Sequence, residues 1–257
     1  MRSNAIHREP GAQVKRGTYD FTPAWLLSMR TSLTRYQHRR SGKMPDYGTR
    51  SINGRKVRHI VPLGTHCLAA GILRAAELRR YALPFDWIFS TPGMILHVLE
   101  TDFRDFMPPA GQAHPAYRDR FGLSDMFPHA DLTSASTRES FERRIARFRG
   151  IMAAREATLF VMISRPSNPI GWHFEPLTDL LERECPNAEL LAVQLQSPRL
   201  AGESVGMELV QRRGRSRLYD FRPASDESAL GYFPDVLDEL LILRLIYQYH
   251  FDLTDVQ

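Results

Sequence analysis

Only two cysteines and nine histidines are available to this chain for nucleophilic or acid–base chemistry. Cys67 has the more telling surroundings. It follows a short β-branched run, Val57-Arg58-His59-Ile60-Val61, and a turn, Pro62-Leu63-Gly64. It precedes Leu68, Ala69, Ile72, Leu73 and Ala76, whose spacing marks the buried face of a helix. Gly64 is expected to supply a backbone conformation that other residues resist. A thiol at a helix entrance lies near unpaired N–H groups and the positive end of the helix dipole, which favour thiolate. That setting predicts a depressed thiol pKa. Free cysteine also serves as a small buried hydrophobe, so a structural role stands beside the reactive one.

A cysteine nucleophile needs a base to take its proton and a group to orient that base. His66 adjoins Cys67 but projects differently from a helix start, and His59 lies inside the strand. His129, in Phe127-Pro128-His129-Ala130-Asp131, is the best-placed base, with Asp131 or Asp86 to orient its ring. Asp86 sits in Pro84-Phe85-Asp86-Trp87, where two aromatics predict a buried carboxylate that holds a corner. Gly64, Thr65 and His66, with Trp87, are the candidate substrate contacts.

The elements that must position these residues alternate. Strands are expected at 57–61, 158–164, 188–196, 205–211 and 217–221. Helices are expected after Cys67, from Pro92, from a Ser136-x-x-Glu139 capping box, over 176–184 and from Pro234. The last should bury Leu237, Leu240, Leu241 and Ile246, and Arg143, Arg144, Arg147 and Arg149 should be solvated. Residues 108–134 read as a long, proline-bearing loop of the kind that carries function. This alternation predicts an α/β fold with a mostly parallel central sheet flanked by helices. Ligands in such sheets bind beyond the carboxyl ends of the strands, which is where Cys67 falls.

Composition, 43% hydrophobic and 25% charged, is that of an ordinary globular protein. The net charge of +5 is unevenly spread: residues 1–56 hold 12 Lys/Arg against 3 Asp/Glu, and the remainder 22 against 26. Residues 1–53 therefore read as a basic arm with a short helix at 23–37, and residues 54–257 as the folded domain. Such an arm is more often a solvated extension than a contact for nucleic acid or an anionic surface. Two cysteines do not make a disulfide framework, which fits a reducing, cytoplasmic setting. No apolar run reaches membrane-spanning length, and the N-terminus has no secretory apolar core. Neither GxGxxG nor GxxxxGK[ST] nor HExxH nor GxSxG occurs, so no cofactor or metal is expected.

The blocks Leu63-Gly64-x-x-Cys67, Leu83-Pro84-Phe85-Asp86-Trp87-Ile88, Asp102-Phe103-x-x-Phe106, Phe127-Pro128-His129 and Phe141-x-Arg143-Arg144-x-x-Arg147-Phe148 resemble a bacterial family of unknown function. That family is named for a papain-like cysteine peptidase activity. The resemblance covers about residues 57–165 and implies Cys67 as nucleophile, His129 as its partner, a peptide or small-molecule substrate and, alternatively, a papain-like α+β fold. The chain departs from papain-type enzymes in having no glutamine shortly before the cysteine, Gln37 being the nearest upstream. Asp131, Asp86 and Asn168 all remain open as the third member of a triad. A binding module that holds an anionic ligand or glycan at the strand ends, with Cys67 structural, is the reading from a different functional class.

Overall fold

Leu159, Val161 and Ile163 pack on one side of a strand whose Phe160 and Met162 pack on the other, and all five are buried. A strand apolar on both faces needs cover on both, and the chain supplies it with helices. The computed structural model describes residues 48–200, 203–227 and 231–253. The helix expected at 23–37 lies outside them. The elements run β1 (His59–Pro62), α1 (Leu68–Ala75), α2 (Pro92–Glu100), a short 3₁₀ helix (Ala116–Phe121), α3 (Ala135–Ala153), β2 (Thr158–Ser164), α4 (Gly171–Glu184), β3 (Ala188–Leu195), β4 (Gly206–Arg213), β5 (Ser216–Arg222) and α5 (Val236–Ile246).

The sheet order is β1-β2-β3-β5-β4. β1, β2, β3 and β5 are parallel, and β4 pairs antiparallel with β5 at one edge. The fold is therefore α/β with a mostly parallel sheet, as the alternation of elements predicts. The apolar residues of α2, α3 and α4 pack on one side of the sheet. Those of α1 and α5 pack on the other. All four parallel strands end on the same rim, and the turn after β1 carries Cys67 to it.

Several local expectations give way to tertiary demands. The Ser136–Glu139 capping box does not form: Ser134 is the N-cap of α3, and Ser136 Oγ lies 3.1 Å from Ser134 Oγ. α4 begins at Gly171 rather than at its proline and keeps Pro176 inside the helix, where the i→i−4 bond to the Trp172 carbonyl is forgone. In α5 the buried face is not the one its leucines suggest. Leu237 and Leu240 are exposed, whereas Asp238 and Glu239 are buried. Asp238 turns that face inward by accepting the N–H groups of Ala224 and Ser225 and the Ser225 hydroxyl. Of the α3 arginines, Arg143, Arg147 and Arg149 are exposed as expected and Arg144 is half-buried, and they also make contacts. Arg147 donates to the Ala82 carbonyl at 2.6 Å, Arg149 binds Asp102, and Arg144 stacks on Phe141.

Residues 48–52 pack onto the end of the chain. The Thr49 and Arg50 N–H groups donate to the Gln248 carbonyl, and Ile52 is fully buried. Arg50 also reaches the buried Glu189 on β3, which Arg217 and the Tyr249 hydroxyl contact too.

Candidate cysteine site

Cys67 is the N-cap of α1 and makes no side-chain cap bond there. Its carbonyl accepts the Gly71 N–H at 2.8 Å, starting the helix. The preceding turn is held from outside: the Ser90 N–H donates to the Thr65 carbonyl at 3.0 Å, and Ser90 Oγ donates to the Gly64 carbonyl at 2.7 Å. Gly64 is required for close approach rather than for an unusual φ. A Cβ there would meet the His66 carbonyl oxygen at 2.7 Å and the Phe85 oxygen at 2.9 Å.

His129 arrives on the long loop. Asp125 Oδ1 accepts the Phe127 N–H, and the Ala130 N–H closes a turn onto the Phe127 carbonyl. The Phe89 N–H donates to the Met126 carbonyl at 3.0 Å. The segment after the Pro84–Trp87 corner thus touches both loops, the cysteine turn through Ser90 and the histidine loop through Phe89. The outcome is a Cys67 Sγ to His129 Nε2 distance of 3.6 Å, within hydrogen-bonding range for sulfur. His129 is exposed and Cys67 half-buried, so the pair opens to solvent.

The thiol pKa departs from the sequence-based expectation. Burial pushes it up, and this outweighs the opposing influences of the Arg165 charge and the thiol's own backbone amide. The helix entrance does not by itself make a resting thiolate.

The acidic candidates divide. Asp131 is exposed, and its Oδ1 accepts both the N–H and the hydroxyl of Thr133, which hold its carboxyl below the usual range. Asp86 is fully buried and accepts from the Arg79 guanidinium and from the Leu83 N–H at 2.9 Å. Burial nonetheless raises its pKa, because Arg79 and the amide compensate only in part. Phe85 beside it packs against Phe103, Phe106 and Phe148, so the carboxylate closes an aromatic core. Neither aspartate makes a hydrogen bond or ion pair with His129. Asn168 lies in the turn after β2, its N–H bonded to the Arg165 carbonyl. Among the described residues, no side chain hydrogen-bonds His129 Nδ1.

Of the other candidate contacts, Thr65 donates its hydroxyl to the Ile163 carbonyl and is buried with His66. Trp87 is half-buried under the guanidinium groups of Arg74 and Arg79. Gly64, Thr65 and His66 therefore shape the turn from behind, and Trp87 belongs to the corner.

The sequence reading missed two charged residues. Arg165, directly after β2, makes a bidentate pair with Glu227 from the β5–α5 loop, at 2.8 and 2.9 Å. Both act electrostatically on the Cys67 thiol, Arg165 lowering and Glu227 raising its pKa. They also line a cleft of about 300 Å³ along the strand-end rim, with Ser167, Gln196, Ser197 and Ser225. No local motif marks Glu227. Its only sequence-level signal is its place after a strand of the parallel set. Among the described residues, no group of three or more His, Cys, Asp or Glu side chains converges on a metal position. No helix among them is long and apolar enough to cross a membrane.

No curated protein and no solved structure matches the chain. Residues 58–119, which carry β1, the cysteine turn, the aspartate corner and α2 but stop short of His129, match the family described as "Putative papain-like cysteine peptidase (DUF1796)".

Proposed function

We propose that the protein is a cysteine hydrolase or acyl transferase acting on a peptide, amide or related acyl bond, with Cys67 as nucleophile and His129 as general base. The observation that carries this reading is the 3.6 Å approach of Sγ to Nε2 at the carboxyl rim of a parallel sheet. Because burial favours the protonated thiol, His129 removes the proton as the thiol attacks rather than before. Sγ bonds to the substrate carbonyl carbon, and the carbonyl π electrons move to oxygen. Collapse of that tetrahedral species expels the leaving group, which takes the proton from His129. Water, deprotonated by His129, then releases the acyl group and restores the thiol. The uncapped first turn of α1 offers backbone N–H groups to the oxyanion, the role a glutamine shares in papain-type enzymes.

The test is turnover of fluorogenic peptide amides and activated acyl esters, with mass analysis of the trapped intermediate. An acyl adduct on Cys67, lost in Cys67→Ala and slowed at least 100-fold in His129→Ala, is expected, in line with the roughly 10²–10⁴-fold worth of acid–base catalysis. A wild-type protein that forms no adduct with any acyl donor overturns the proposal. The strand-end cleft favours a second reading, a binding module whose ligand sits against Arg165 and the three serines with Cys67 structural. Ligand binding that survives Cys67→Ala, with no acyl adduct in the wild type, would select it.

A further inference from the structure

Hydrogen-bond accounting on the inner side of Cys67 fixes a proton. Thr65 Oγ1 has one hydrogen, and it is donated to the Ile163 carbonyl at 2.9 Å. The same oxygen lies 3.0 Å from His66 Nδ1, so that contact requires Nδ1–H as the donor. A neutral His66 in this tautomer has a bare Nε2. That atom is buried without a hydrogen-bond partner, and Glu227 Oε1 stands 3.3 Å from it. Two acceptors this close gain nothing from each other unless the imidazole takes up a second proton. Burial opposes that uptake and pulls the His66 pKa down despite the carboxylate beside it.

Glu227 is consequently directed at Arg165. Burial works against its charge, yet the hydrogen bonds from the Arg165 guanidinium hold its carboxyl below the usual range. The Glu227 carbonyl also accepts the Gly231 N–H at 3.0 Å, and Gly231 lies close to the Cys67 Cβ. The Glu227 side chain thereby ties the β5–α5 loop to the end of β2, and its backbone carbonyl holds Gly231 near the cysteine turn.

We infer that Glu227 is a positioning residue for the Cys67 site, its carboxylate clamping Arg165, facing the bare Nε2 of His66 and holding the guanidinium charge in check beside the thiol. This rests on the proposed reading of Cys67 as the nucleophile. The charged or titratable groups around the thiol are Arg165 after β2, Glu227 after β5, His66 in the turn and His129 across the opening, with Asp226 acting on Arg165. Removing the negative charge while keeping the shape takes away the group that raises the thiol pKa and keeps the Arg165 charge that lowers it. Glu227→Gln does this: its amide oxygen still accepts from Arg165, and its NH₂ can donate to His66 Nε2.

The experiment is the pH profile of iodoacetamide alkylation at Cys67, read by peptide mass, on the full chain. Glu227→Gln is expected to move the profile to lower pH by up to about one unit, the scale of removing one neighbouring like charge. Arg165→Gln is expected to move it to higher pH. Nitrogen-15 shifts of His66 in the wild type should report the Nδ1–H tautomer. Unshifted profiles in both variants at wild-type melting temperature, or an Nε2–H tautomer of His66, would overturn the assignment. Alkylation needs only a thiolate and no turnover. A failure of the hydrolase reading therefore appears separately, as absence of the acyl adduct.

Discussion

Ser90 contacts Thr65 through its backbone, its N–H donating to the Thr65 carbonyl at 3.0 Å, two residues before the candidate nucleophile. Its neighbour Phe89 bonds the Met126 carbonyl, three residues before His129. The Phe89–Ser90 segment thus bridges the two loops that carry Cys67 and His129. Ser90 is buried, and its hydroxyl serves the Gly64 carbonyl. Ser90→Ala should cost about 1–3 kcal/mol in stability by leaving that buried carbonyl unpaired. It should also slow Cys67 acylation at least tenfold, since small misplacements of reacting groups are costly. Urea unfolding and single-turnover kinetics on one preparation check both, and a destabilised variant with unchanged acylation would show that the two loops are held by other means.

Asp86→Ala should unfold the corner before it touches the chemistry. The change strands Arg79 and the Leu83 amide beside an aromatic core, and breaking a buried ion pair from one side costs about 3–5 kcal/mol. The upper part of that range is not expected, because Arg79 is partly exposed. Activity should fall in step with the folded fraction measured by circular dichroism. A fully folded but inactive Asp86→Ala protein would instead place the carboxylate in the mechanism.

Two glutamates set opposite dependences of stability on pH. The Glu239 pKa is raised to about 6, mainly by burial, with Asp238 adding to it and the Phe233 amide opposing. A raised carboxyl pKa penalises the folded state above pH 6, and the penalty fades as pH falls from 6 towards the unfolded value of 4.5. Glu239→Gln should therefore stabilise the protein at pH 7.5 by about 2 kcal/mol and converge with wild type near about pH 4. Glu227, held down at about 2, contributes stability above 4.5 that is lost as pH falls through that interval. Denaturant midpoints of both Gln variants between about pH 3 and 8 should show gains and losses of opposite sign.

For trimming the chain we propose a start at residue 48 in preference to 54. A protein beginning at residue 54 lacks buried Ile52 and the Arg50 contact to Glu189. It should be less stable than a 48–257 protein by about 2–5 kcal/mol, the range for losing one large buried aliphatic side chain. Thermal melts of the two proteins, expressed side by side, decide the matter. Equal melting temperatures would mean that residues 48–53 contribute little.

Local sequence was sufficient for the strands, the sheet class and the residue at the cysteine turn. β-branched runs and apolar periodicity report burial directly, and a glycine–cysteine turn before an apolar helix has a narrow set of placements. His129 could be nominated but not placed, because 62 intervening positions carry no distance information. The hydrogen bonds of Phe89 and Ser90, together with the burial of Met126 and Phe127 in the core, bring its loop to Cys67. Glu227 and Arg165 were invisible for the same reason: they meet across the end of β3, on the rim that the parallel order β1-β2-β3-β5 creates. The sign of the Cys67 pKa shift was likewise a tertiary decision. A helix N-terminus can be read from sequence, but the burial that overrides it depends on what packs around the turn.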